Sequence, residues 1–144
     1  MSSLERAIMI AAVAHEGHLD EANEPYLLRV LRVMLKMDDH QNRIVAALHG
    51  VVDDNPRWSL ERLRGEGFSE RIVQAVDSLS RRPGEFYETF IERVSRDPVA
   101  RLVKIADLEE QSDLSRLPEP SEEDFERLEK YQRALVALQA GTWT

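Results

Sequence analysis

The sequence contains no cysteine, which excludes disulfides and thiolate metal centres and leaves His, Asp and Glu as the ligands for any metal. It also lacks an apolar run approaching the ~20 residues that span a bilayer, and residues 1–6 do not open a signal peptide. A soluble, cytoplasmic protein with no membrane partner is therefore expected. Positive charge is in deficit, with 19 Lys and Arg against 27 Asp and Glu and a net charge of −8. Such a surface repels polyanions, so nucleic acid is not an expected partner. A small phosphorylated ligand is compatible with it, because one or two arginines are enough to hold a phosphate.

Strand alternation is also missing. Apolar residues recur at helical spacing nearly everywhere, and segments are punctuated by Pro, Gly and capping residues, which predicts an all-α protein. Ser2 and Glu5 have capping-box spacing, and Leu4, Ile8, Ala11 and His15 form one stripe of a first helix ending near His18. Pro25 opens a second helix over about 26–36, and a third is expected over about 38–53. Ser59 caps a short helix stopped at Gly65 or Gly67, Phe68 and Val73 have staple spacing across the start of the next, and Arg82-Pro83-Gly84 ends it. Tyr87, Phe90, Ile91 and Val94 give another short amphipathic helix, and Asp97-Pro98 opens one that runs to about Asp113. The last carries Phe125, Leu128, Tyr131, Leu135 and Leu138 and stops at Gly141. With no repeat, long linker or low-complexity tract, the 144 residues read as a single domain of about seven or eight helices.

Two polar patches interrupt this apolar pattern. The run Ala46-Ala47-Leu48-His49-Gly50-Val51-Val52-Asp53-Asp54 places a histidine and two acids in a helical stretch, where an unpartnered polar side chain costs roughly 1–3 kcal/mol. On one continuous helix, His49 and Asp53 share a face. Further on, Lys104, Asp107 and Gln111 share a face of Val103-Lys104-Ile105-Ala106-Asp107-Leu108. If the two helices pack together, His49 and Asp107 can meet as nitrogen and oxygen ligands for zinc, manganese or iron. The plainer alternative is a core histidine bonded to a carbonyl, with Lys104 and Asp107 as an ion pair on a solvated face. Arg29, Arg32 and Lys36 likewise read as one solvated basic face. Trp58 and Trp143 read as covers for core edges.

Four ordered segments carry a resemblance: Ala14-His15-Glu16-Gly17, Glu24-Pro25-Tyr26-Leu27, Ala47 to Asp54, and Val103-Lys104-Ile105-Ala106-Asp107. In order and spacing the chain resembles the HD-domain hydrolases of the RelA/SpoT type, and more closely their stand-alone small alarmone hydrolase-like relatives. The resemblance implies a helical HD fold that holds one divalent ion, usually manganese, and removes the 3′-pyrophosphate from guanosine tetra- or pentaphosphate.

Carried over residue by residue, this pattern survives only in part. Its metal histidine and metal aspartate fall on His49 and Asp107, its acidic pair on Asp53-Asp54, and its lysine on Lys104. Arg29 stands where the first metal histidine belongs, Gly50 replaces the aspartate of the His-Asp doublet, and Gln111 stands in place of an asparagine. His15 matches a position outside the metal sphere, and His18 and His40 read as surface or cap residues; a site rebuilt from these three is the less expected outcome. A cation at position 29 repels a divalent ion and can pair with Asp107 or Asp53.

The expectation is therefore a degenerate member without a bound cofactor, whose His49, Asp53, Asp54 and Asp107 are vestigial. Arg29, Lys104 and Gln111 are left to contact a guanine nucleotide or another phosphorylated molecule, and a protein partner or homo-oligomer is the other use of such a module. The alternative is a hydrolase still using Mn2+ in a rearranged site. From charge alone, no binding to duplex DNA is expected at physiological salt; micromolar affinity with a steep salt dependence in a filter-binding titration would show that a local basic face dominates.

Overall fold

In a computed structural model of the chain, residues 3–140 are described, so the expectations placed on Ser2, Gly141 and Trp143 lie outside the described residues. The chain is all-α: α1 (Leu4–Ala14), α2 (Tyr26–Leu35), α3 (His40–Leu48), the single turn α4 (Val51–Asp54), α5 (Leu60–Gly65), α6 (Glu70–Ser78), α7 (Tyr87–Ser95), α8 (Pro98–Gln111) and α9 (Glu122–Gln139), with a 3-10 turn at Leu114–Arg116. No strand is present among the described residues. No described helix is long and apolar enough to cross a membrane.

Local chemistry sets most helix starts. Ser3, Asp39, Ser59, Ser69, Asp97 and Ser121 each accept a backbone N–H of the following turn, satisfying donors that a helix N-terminus leaves free. Ser3 therefore does the work expected of Ser2. Pro98 occupies the first turn of α8, where its missing N–H is not needed, and Ser121 with Asp124 forms a reciprocal capping box. Phe68 and Val73 are both buried, as staple partners should be.

The centre of the molecule is α3. Five consecutive residues, Ile44 to Leu48, are buried, and α1, α2, α6 and α8 pack around it. The second half of α3, apolar all round, has no solvent face, so it serves as the axis against which the polar site is built. Trp58 is buried at the core edge under the Arg62 guanidinium, 3.8 Å from its ring centre.

Three expected helix ends are corrected. α1 stops at Ala14 rather than near His18, because the chain turns through Gly17 at a φ of +80°. α8 stops at Gln111 rather than near Asp113. The expected helix over 38–53 is broken into α3 and α4: His49 is extended (ψ 137°), and Gly50 takes a left-handed φ of +82°. Gly50 is thus not an awkward residue inside a helix. It redirects the chain at a position where other residues are strained by about 1–2 kcal/mol. His49 and Asp53 consequently do not share one helix face.

Gly50→Ala is expected to lower stability by about 1–2 kcal/mol in chemical denaturation, through backbone conformation. Glycine inside an unbroken helix predicts the opposite, a gain of about 0.5–1 kcal/mol.

Candidate functional site

The site forms where α2, the end of α3 and α8 converge on the carboxylate of Asp107, which is 3% exposed. Lys104, one turn earlier on α8, brings Nζ to 3.3 Å from Oδ2, and the Gln111 side-chain amide donates to the same oxygen at 2.6 Å. From α2, Arg29 Nε lies 3.8 Å from Oδ1. From the end of α3, His49 Nε2 lies 3.6 Å from that oxygen. Burial pushes the Asp107 carboxyl up, but Lys104, His49 and Arg29 outweigh it and hold the group ionised far below the ordinary carboxylate range. The structure thus brings together Arg29, His49, Lys104, Asp107 and Gln111.

His49 combines both expectations drawn from sequence. Its Nδ1 lies 2.5 Å from the Ala46 carbonyl, so the proton belongs on Nδ1, which donates, and Nε2 is directed elsewhere, towards Asp107. The Lys104–Asp107 pair exists, but on a buried rather than a solvated face. Arg29 is likewise not part of a solvated stripe: its side chain is 12% exposed, pairs with Glu21 at 3.4 Å and stacks 4.7 Å above the Tyr26 ring. Burial lowers the Arg29 pKa, but Asp107 and Tyr26 more than compensate and raise it. Arg32 and Lys36 continue along α2 to Glu110 of α8, at 2.6 and 3.1 Å. The basic stripe is therefore the seam between two helices.

Three buried atoms here, Arg29 Nε, His49 Nε2 and Asp107 Oδ1, have no hydrogen-bond partner. Arg29 Nε and His49 Nε2 both approach Oδ1, at 3.8 and 3.6 Å. Two donors and a guanidinium do not fit a manganese centre. The cation 3.8 Å from Oδ1 already supplies the charge that an ion would bring, and Gly50 offers no side chain.

Asp54 lines an open cleft with Arg29, and the acidic pair Asp53-Asp54 has opposite tendencies. Burial raises the Asp53 pKa, opposed by the Arg81 backbone N–H, which donates to its Oδ2 at 3.3 Å. Burial also pushes Asp54 up, but His15 and His18 outweigh it and carry Asp54 below its ordinary value. Asp54 Oδ2 lies 3.2 Å from His15 Nδ1 and 3.3 Å from His18 Nδ1. Tyr26 completes the wall: His18 stacks on its ring at 4.5 Å, and His15 meets it edge-on at 4.8 Å. The roles of His18 and Tyr26 were missed from sequence, although the spacing of His15 and His18 and of Tyr26 and Arg29 was a usable signal.

With this geometry in place, known proteins supply an independent finding. The chain is similar to guanosine polyphosphate hydrolases. It is 30% identical over 114 residues, 69% of the chain, to the guanosine-3′,5′-bis(diphosphate) 3′-pyrophosphohydrolase of Haemophilus influenzae. It is 29% identical over 117 residues, 72% of the chain, to the bifunctional (p)ppGpp synthase/hydrolase SpoT of Escherichia coli. A probable GTP pyrophosphokinase of Mycobacterium leprae is 28% identical over 120 residues, 74% of the chain. The chain spans only about a sixth of the length of these curated relatives (16%, 17% and 15%). No protein-family model matches it.

Asp107→Asn keeps the shape but leaves Lys104 and Arg29 without their buried counter-charge, and is expected to destabilise the fold by about 3 kcal/mol in urea denaturation. In the unmodified protein, the folded carboxyl titrates below its unfolded value of about 3.9. Its stabilisation is therefore fully present above that value and is lost as pH falls towards the folded one. A urea midpoint that does not move between pH 5 and pH 3, or moves equally in Asp107→Asn, contradicts this role.

Proposed function

We propose that the chain is a RelA/SpoT-type HD-fold domain, one unit over residues 1–144, that has exchanged the divalent ion of the His49–Asp107 position for the guanidinium of Arg29. The observation that carries this reading is the burial of Arg29 against Asp107 at the point His49 Nε2 faces. In the pattern the chain resembles, a metal polarises the phosphate and lowers the pKa of the attacking water. A guanidinium binds phosphate but offers no vacant coordination position and does not acidify water. The reading is therefore a module that binds a phosphorylated ligand, with guanosine polyphosphate as the first candidate, and does not hydrolyse it through the inherited site.

Arg29 reaches an open cleft that it lines together with His18, Leu19, Asp20, Glu21, Tyr26 and Asp54. A phosphate entering this cleft takes the guanidinium edge now paired with Glu21, while Asp107 and the Tyr26 ring fix the plane of the group. Lys104 and Gln111 both engage Asp107 Oδ2, so their part is to hold that carboxylate in place behind Arg29. A second reading, hydrolysis through a rearranged site, draws support from the retained acidic pair, in which Asp53 is raised and Asp54 lowered.

Calorimetric titration with guanosine tetraphosphate is expected to show binding that weakens about tenfold or more in Arg29→Ala, with no pyrophosphate release when manganese is added. Manganese-stimulated release that is abolished in Asp107→Asn overturns the loss of hydrolysis. An absence of nucleotide binding overturns the ligand assignment and favours a protein-interaction module.

A further inference from the structure

We infer that His15, His18 and Asp54 form a binding site for a divalent transition metal of the zinc class, separate from the His49–Asp107 position. One donor atom from each of the three lies within 4.8 Å of the other two. Asp54 Oδ2 is 3.2 Å from one imidazole nitrogen and 3.3 Å from the other. Ligands held at about 2.0–2.2 Å with tetrahedral to right-angled geometry lie about 2.9–3.5 Å apart. The two contacts to Asp54 thus have the span of a coordination sphere, and the two histidine nitrogens, within 4.8 Å of each other, share it once they stand about 3.5 Å apart or closer.

A plain ion pair explains the arrangement less well. The His15 side chain is fully buried, at 0% exposure, and neither ring nitrogen makes a hydrogen bond. Asp54 Oδ2 lies 3.2 Å from Nδ1 and its pKa is lowered by that contact, yet a buried polar group without a well-formed partner costs about 1–3 kcal/mol. An ion accepting the Nδ1 lone pair removes the part of that cost that falls on Nδ1.

The three residues are also held in place without an ion. α1 ends at Ala14, and the Asn55 side-chain amide donates to the Ala14 carbonyl at 3.3 Å, tying the end of α4, and with it Asp54, to His15. The His18 N–H donates to the His15 carbonyl at 2.9 Å, and the Tyr26 N–H donates to the His18 carbonyl at 2.8 Å. Asp20 Oδ1 accepts the Ala22 and Glu24 N–H groups at 2.9 and 3.0 Å and fixes the turn between them. Gly50 sits directly beside the cluster: a Cβ there would lie in ordinary contact with it, 3.8 Å from His15 Cε1 and 4.0 Å from Asp54 Oδ2. Such a pre-formed arrangement loses little entropy on binding.

The donor set selects the class of ion. Two imidazoles and one carboxylate suit Zn2+, Co2+ or Ni2+, and with one carboxylate and no further oxygen ligands Mg2+ and Ca2+ are disfavoured. Three protein ligands leave a position open. His18 and Asp54 both line the cleft that also holds Arg29, so the open position faces the place proposed for a phosphate. The metal site is argued from His15, His18 and Asp54 alone and stands whether or not a nucleotide binds.

Untagged protein stripped with chelator and titrated with Zn2+, and with Co2+ for its visible bands, tests this. One equivalent is expected to bind. His18→Ala and Asp54→Asn should each weaken binding about tenfold or more, while His40→Ala, on the exposed start of α3, stays within about twofold. In the unmodified protein, Zn2+ should shift the imidazole nitrogen resonances of His15 and His18, a readout that needs no folded variant. The proposal is overturned by the absence of stoichiometric binding, by unchanged affinity in His18→Ala, or by shifts at His49 with His15 and His18 unmoved. Loss of nucleotide binding with the metal retained refutes the phosphate reading alone.

Discussion

The ionised carboxylate of Asp107 is the constraint on which the rest of the site depends. Removing such a group from water costs several kcal/mol unless charge and hydrogen bonds replace the lost solvent. Here the replacement comes from Lys104 and Gln111 on the same helix and from Arg29 on α2. The intrahelical partners are fixed by spacing, but Arg29 is not, so its contact sets how α2 lies against α8. The Arg32 and Lys36 pairs with Glu110 continue that seam. Asp107 also gives a reason for the buried arginine. In the pattern the chain resembles, a divalent ion neutralises this carboxylate. Here the Arg29 guanidinium lies 3.8 Å from Oδ1, and on the reading proposed above it takes the place of that ion.

The second constraint is the turn at His49 and Gly50. An unbroken helix would carry Asp53 and Asp54 along the α3 axis, with Asp53 one turn beyond His49. The left-handed residue instead sends α4 off towards α1, where Asn55 reaches Ala14 and Asp54 meets His15 and His18. The same glycine therefore creates the geometry for another cluster. Its lack of a side chain matters through the backbone, because a φ of +82° strains any other residue.

Much of this was legible in the sequence, and the parts that were not share a cause. Helix starts were readable because a cap is a local event: Asp97-Pro98 and Ser121 need only the next turn to act. The polar face of Lys104, Asp107 and Gln111 was readable from helical spacing alone. The break at Gly50 was not, because apolar residues continue on both sides and no proline marks the stop, so one glycine is compatible with both a helix interior and a left-handed turn. Ser3 rather than Ser2 as the first cap is a one-residue slip between two equivalent hydroxyls. The burial of Arg29 was invisible because Arg29, Arg32 and Lys36 show the same spacing whether they face solvent or the acids of another helix. The His15, His18 and Asp54 cluster depends on a turn meeting the end of α4, which no single-helix pattern describes.

Charge balance links the two sites. The cleft outside Arg29 is lined by Asp20, Glu21 and Asp54, and Glu21 already engages the guanidinium. A polyphosphate approaching this rim meets three carboxylates and one accessible cation, in a protein whose net charge is −8. Unscreened, like charges at such distances oppose binding by about 1 kcal/mol each or more. Arg29 alone is a modest counterweight. An ion on His15, His18 and Asp54 adds two positive charges to that rim, which brings the local sum from net negative to about neutral. Metal and phosphate should then favour each other, since a coupling between two ligands is reciprocal.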